Sequence, residues 1–144
     1  MDPRHEYLLH YVQLLADFCD LRGWVFRVSK EAASEDEWAH IHIDDYDEAQ
    51  VSVGTLFWNG TNLEKTQVLL HELMHCPFAR INEGVHDGCE SLISYVPRKH
   101  RQQAARQLAI HKKAAARAEE RMVNQLAVVL ARSAPKFAPP SRKR

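Results

Sequence analysis

The sequence has no apolar run approaching the ~18 residues that a membrane-spanning helix requires. Its first residues, Met1-Asp2-Pro3-Arg4-His5-Glu6, lack the basic-then-apolar order of a secretory signal. A membrane span is therefore not expected, and the expected compartment is the cytoplasm. Cysteine is scarce. Cys19, Cys76 and Cys89 are the only three, and an odd number without a secretion signal argues against a disulfide framework, so reduced thiols are expected. There is no internal repeat. At 144 residues the chain has the length of about one domain, which excludes a large multi-domain machine. A hydrophobic fraction of 45% with 26% charged residues is the balance of a soluble globular protein.

Net charge is also absent overall, but it is unevenly distributed. Residues 1–97 carry 6 Lys and Arg against 17 Asp and Glu, a net of −11, and residues 98–144 carry 13 against 2, a net of +11. Such opposite halves either attract one another or direct the basic end to nucleic acid or another acidic partner.

Periodicity organises the chain as α+β. Residues 4–22 place Leu8, Tyr11, Val12, Leu15 and Phe18 on one helical stripe. Gly23 then stands where a helix stop is expected. Residues 24–28 are aromatic and β-branched and read as a strand. Ala39, Ile41 and Ile43 alternate with His40 and His42, and Ala49, Val51 and Val53 alternate in turn, with an Asp-rich turn at 44–47 between them. Leu56-Phe57-Trp58 reads as a further strand after a break at Gly54. The expected sheet is small, of three or four mainly antiparallel strands. Thr61 and Glu64 fit a capping box that opens the next helix, and Pro77 is expected to end it. A polar loop over 82–88 should follow, then a short apolar helix over 90–96. Residues 98–133 are rich in helix formers but carry almost nothing large between Ile110 and Met122. That helix is expected to project from the core or to pack on another subunit. These signals divide the chain into a core at 1–97, a basic helical extension at 98–133 and a disordered basic tail at 134–144.

One motif carries chemistry. His71-Glu72-Leu73-Met74-His75 is His-Glu-x-x-His inside the capped helix. Residues i and i+4 share a helix face, so both imidazoles can converge on one zinc ion. Glu72, about 100° around the axis from His71, can act as general base toward a metal-bound water. Composition alone would produce this pattern somewhere in the chain with a probability of about 0.04, so its context matters. A third ligand is required. Glu83, His86, Asp87 and Glu90 are the candidates. Glu90 is favoured because it opens an apolar helix that can pack antiparallel to the first; Asp87 and Glu90 also fit a capping box. Cys89 is read as a buried thiol. His40 and His42, beside Trp38, read as a solvent- or substrate-facing strand. Tyr95 reads as a core residue or as a donor to an oxyanion.

With its N-terminal helix, small sheet, His-Glu-x-x-His helix and Glu-bearing helix, the chain resembles the zincin-like metallopeptidases. It is most similar to the smallest gluzincin-type forms encoded by phages and their bacterial hosts. The resemblance covers roughly residues 5–97, and its specific part is the five-residue motif. It implies zinc held by His71, His75 and Glu90, Glu72 as catalytic base, and a peptide or protein substrate. That substrate would lie on the strand before the metal helix, here residues 51–54. Larger gluzincins often place a carboxylate four residues after the ligand Glu, where this chain has Ser94. The basic helix lies outside the family's minimal pattern. It admits a second expectation, a metal-stabilised scaffold whose residues 98–144 bind nucleic acid, an acidic or phage assembly partner, or a second copy of the chain.

Overall fold

The computed structural model describes residues 3–138. Within them the chain runs α1 (Pro3–Phe18), β1 (Val25–Val28), β2 (Ala39–Ile43), β3 (Glu48–Val53), α2 (Thr55–Asn59), α3 (Asn62–Ile93), a 3-10 turn (Arg98–His100) and α4 (Arg101–Leu130). It is an α+β fold of four helices and one three-stranded sheet. Among the described residues no helix is long and apolar enough to cross a membrane.

α1 stops earlier than Gly23 suggested. Asp20 takes the left-handed conformation, with φ 59°, while its N–H bonds the Asp17 carbonyl and the Leu21 N–H bonds that of Ala16. This pair of bonds closes the helix and satisfies its last carbonyls. The sheet is mixed rather than mainly antiparallel. Its order is β1-β3-β2, with β1 parallel and β2 antiparallel to β3. The alternation in residues 39–53 holds: Ala39, Ile41, Ala49, Val51 and Val53 are buried, while His40 and His42 are exposed. α1 and α3 pack on the sheet. In the turn between β2 and β3, the Asp44 carboxylate accepts the N–H groups of Tyr46 and Glu48 at 2.9 and 3.0 Å. These bonds hold its carboxyl below the usual carboxylate range.

Residues 56–58, expected as a strand, lie within α2 instead and bury Phe57 completely. Gly60 follows because a Cβ there would stand 2.4 Å from the Trp38 ring. The capping box at the start of α3 is present, with the Glu64 N–H on Thr61 Oγ1 at 3.2 Å and the Thr61 N–H on Glu64 Oε2 at 2.7 Å.

The largest departure concerns α3. Pro77 does not end it, and residues 82–88 form no loop; one helix continues to Ile93. An interior proline costs about 3 kcal/mol, and here α4 packs along α3 and offsets that cost. At the tip, Arg101 donates to the carbonyls of Ser94 and Val96, each at 2.9 Å, and the chain reverses. α4 then returns beside α3 to the core. Val123, Ala127, Ala131, Ala134 and Phe137 belong to the same core cluster as Leu8, Val51 and Leu70. The proposed boundary at residue 97 is therefore a hairpin tip, and the segment after it completes the core.

Residues 134–138 are likewise packed, not free. Phe137 is 2% exposed and meets Tyr7, Tyr11 and Phe57 edge-on at centroid distances of 5.1, 5.0 and 5.7 Å. Tyr11 donates to the Pro135 carbonyl at 2.6 Å, and the Phe137 N–H reaches Thr66 Oγ1 at 3.3 Å. The remainder of the expected disordered tail, 139–144, lies outside the described residues. All three cysteines are free thiols, with Cys76 buried and pushed up to about 12 by that burial.

Phe137→Ala should therefore cost about 3–5 kcal/mol in urea denaturation, and a chain ending at residue 97 should fail to fold cooperatively. Wild-type stability in either variant would contradict this packing.

Candidate metal centre

His71 and His75 lie one helical turn apart on α3, and their rings converge. The two Nε2 atoms are 3.2 Å apart, with ring planes at 77°. The third group comes from α4. Glu120 Oε1 is 3.4 Å from His71 Nε2, and Glu120 Oε2 is 3.6 Å from His75 Nε2. His71, His75 and Glu120 are the one trio of potential ligands brought together among the described residues. In a tetrahedral zinc site with bonds of about 2.0–2.1 Å, ligand atoms stand about 3.3–3.4 Å from one another. The imidazole pair stands near that value, and the two oxygens of Glu120 each approach a different imidazole; taking one ligand atom from each residue, the trio lies within 4.8 Å of one another.

Neighbouring residues fix the orientation of each imidazole. Glu119 Oε1 lies 2.9 Å from His75 Nδ1, which places the ring proton on Nδ1 and leaves the Nε2 lone pair directed at the site. Asn82, from the outgoing part of α3, donates to the other oxygen of Glu119. Asn124, one turn beyond Glu120, hydrogen-bonds His71. Burial lowers the His71 pKa against the opposing pull of Glu120, and His75 lowers it further. A neutral His71 is the ligating form.

Glu72 points from the same helix toward the free edge of β2. Its carboxylate accepts a backbone hydrogen bond from Ile41, yet burial dominates and pushes its pKa up to about 7. Two hollows meet at this residue. One, of about 360 Å³, is walled by Trp38, Val68, Ala127 and Val128 and reaches His71. The other, of about 340 Å³, follows β2 from His40 to Ile43 and reaches His75 and Glu119. The edge strand along this cleft is β2. β3, which holds residues 51–53, is paired on both sides and offers no free edge. Arg80 fastens α3 to the β2–β3 turn: its Nε donates to Asp47 at 2.6 Å, its Nη1 to Glu83 at 2.9 Å, and its guanidinium lies 5.1 Å from the Trp24 ring.

Glu90, expected as the third ligand, is not brought to the histidines. It sits on the same helix as His75, fifteen residues farther on, about 22 Å along the axis. There it pairs with Lys112 of α4, which holds its carboxyl below the usual range. The other candidates also lie outward on α3. Glu83 is engaged by Arg80, His86 is half-buried against α4, and Asp87 is exposed. Tyr95 is 86% exposed near the tip and is neither a core residue nor near the cleft. Sequence reasoning missed Glu119 and Glu120. One signal for them existed: they are the only acids after residue 97, adjacent, and placed just before the apolar stretch that begins at Met122.

The chain matches no protein-family model, no curated protein and no solved structure, so its chemistry has to be read from these residues.

The burial of Glu72 has a measurable consequence. Its folded-state pKa of about 7 lies above the ordinary 4.5, so the folded chain binds this proton more tightly than the unfolded chain. That contribution is fully present below the unfolded pKa and is lost as pH rises through about 7. In metal-free protein, Glu72→Gln should gain stability relative to wild type between pH 4.5 and 7, reaching about 1–3 kcal/mol above pH 7. Urea denaturation with chelator across this range measures it. A difference that does not change with pH would contradict the assignment.

Proposed function

We propose that this protein is a zinc-dependent peptidase of the zincin-like kind, with His71, His75 and Glu120 as metal ligands and Glu72 as general base. The observation that carries the reading is the convergence of two imidazole nitrogens, 3.2 Å apart, with the Glu120 carboxylate, one ligand atom from each residue lying within 4.8 Å of the others. Three ligands leave one tetrahedral position for water or substrate, as a catalytic site requires. The zinc, when bound, supplies acidification of a coordinated water and polarisation of the scissile carbonyl.

The chain's own residues supply the rest. Glu72 takes the proton of the attacking water and returns it to the leaving amine. A carboxyl whose pKa is near 7 suits both transfers at neutral pH. Ile41 and Glu119 orient Glu72 and His75 respectively, so neither has to reorganise during reaction. The free edge of β2 offers backbone groups to an extended peptide, which would lie across Glu72 between the two hollows. Trp38, Val68 and Val128 give one side of the cleft an apolar wall for a substrate side chain.

Metal analysis should find about one zinc per chain. Glu120→Ala should weaken zinc binding at least tenfold, whereas Glu90→Ala should leave it unchanged. Glu119→Ala should weaken binding by about 10–100-fold through loss of support to His75. Glu72→Gln should retain zinc and the fold but lower hydrolysis of a mixed peptide library by about 10²–10⁴-fold. Zinc retention in Glu120→Ala, or equal turnover by Glu72→Gln and wild type, would overturn the reading.

A further inference from the structure

Beyond the metal centre, α3 and α4 continue outward as a two-helix arm. Within it the opposite net charges of residues 1–97 and 98–144 do not cancel by contact. Among the described residues, Lys112 with Glu90 is the one ion pair between a Lys or Arg after residue 97 and an Asp or Glu before it. Arg101 is engaged by the carbonyls of Ser94 and Val96 at the tip. The other bases of α4 point away from α3.

Arg106, Lys113, Arg117 and Arg121 are all exposed. At about 100° per residue they fall within about 80° of one another. They lie on the side of α4 opposite Ala104, Leu108, Lys112 and Ala115, the half-buried residues that face α3. The four form a straight row about 22 Å long. Among the described residues none of them has an ion-pair or hydrogen-bond partner. The acids after residue 97, Glu119 and Glu120, lie to the side of the row and face the two histidines. Lys113, Arg117 and Arg121 follow one another at i, i+4. Like charges at that spacing destabilise a helix, and an external polyanion relieves the repulsion.

We infer that this face of α4 binds the phosphate backbone of duplex nucleic acid, without reading its sequence. The row selects a polyanion by charge, and its composition selects the kind. Interfaces between proteins have an apolar, charge-depleted centre. Here Ile110 is the one large apolar residue between the first and last cation of the row. Interfaces with nucleic acid are much more positively charged. Single strands are held largely by aromatic side chains stacked on unpaired bases, and residues 98–136 contain no Phe, Tyr or Trp. A duplex instead presents one phosphate charge per ~1.7 Å of axis along a stiff rod, which a straight row on a helix can follow. Three of the four cations are arginines, whose planar forks match phosphate oxygens. The net charge of −11 on residues 1–97 repels the duplex from the body and confines contact to α4.

Fluorescence anisotropy of a labelled 20-bp DNA duplex of arbitrary sequence, titrated with the full chain, tests this with no need for metal or substrate. A dissociation constant in the micromolar range is expected at about 50 mM salt. Four phosphate contacts give a slope of about −3.6 in log K against log salt, so affinity should fall about 100-fold between about 50 and 200 mM. Arg106→Gln, Lys113→Gln and Arg117→Gln should each make the slope shallower by about 1. Circular dichroism should stay unchanged, because all three positions are exposed. Lys30→Gln removes the same charge from an exposed position on the body and should leave the slope as it is. A duplex of shuffled sequence should bind equally, and a single strand of the same length more weakly. No binding at about 100 µM protein and 50 mM salt would overturn the inference. So would a slope that the three row substitutions leave unchanged, or one that Lys30→Gln reduces as much as they do. Tighter binding of the single strand, or displacement of the duplex by polyglutamate as readily as by unlabelled duplex of equal charge, would assign the row to a different partner and overturn it too.

Discussion

The antiparallel contact between α3 and α4 is the constraint on which the rest of the molecule depends. His71 and His75 are placed by α3 alone, since i and i+4 share a helix face. Glu119 and Glu120 reach them only because the chain runs out and back over two limbs of nearly equal length. Eighteen residues separate His75 from Ile93 at the end of α3, and nineteen separate Arg101 at the start of α4 from Glu120. At 1.5 Å per residue each helical limb spans about 27–29 Å, so the returning helix meets the histidines in register. One residue added to either limb would turn Glu120 by about 100° and carry it off the site. The same return delivers Val123, Ala127 and Phe137 to the core, so core packing and site assembly share one register.

The centre lies where the packed core ends and the arm begins. Leu70, Leu73 and Met74, interleaved with the motif residues on α3, are buried against the body, while His71 and His75 are about 20% exposed. That boundary is a physically reasonable place for a polar cluster. The core fixes the backbone from which the two imidazoles project, and the cleft leaves them open to solvent. Stability is lost locally. Glu72 is a carboxyl held in low-dielectric surroundings. A bound cation would join α3 to α4 and favour the folded chain by mass action.

Much of this was legible in the residues, and the gaps have definite causes. The period-2 alternation in 39–53 marks β2 and β3 because one face of the sheet is buried, and the capping box at Thr61 and Glu64 marks the start of α3 through purely local bonds. The pair His71 and His75 with Glu72 is legible because one helix supplies all three residues. The course of α3 past Pro77 is not, since local rules assign a break there and only packing against α4 sustains the helix. That error moved the third ligand to Glu90: a second helix starting near residue 90 makes Glu90 face the histidines, whereas a continuous helix carries it about 22 Å away. The low content of large side chains between Ile110 and Met122 suggests a helix that projects from the core or packs on another subunit, whereas α4 packs along α3 of the same chain. It conceals the return to the core, which begins with the next residue, Val123. The strand misread at residues 56–58 has a similar origin, because a short run of apolar and aromatic residues, here Leu56, Phe57 and Trp58, reads the same in a short helix as in a strand.

The most direct test of the account is zinc-edge X-ray absorption on the full chain loaded with one equivalent of zinc. The predicted first shell is two imidazole nitrogens and two oxygens, one from Glu120 and one from water, at about 2.0–2.1 Å, with no sulfur. The oxygen contribution should fall in Glu120→Ala but not in Glu90→Ala. A sulfur scatterer at about 2.3 Å, or a shell identical in wild type and Glu120→Ala, would contradict the assignment of His71, His75 and Glu120 as the metal centre.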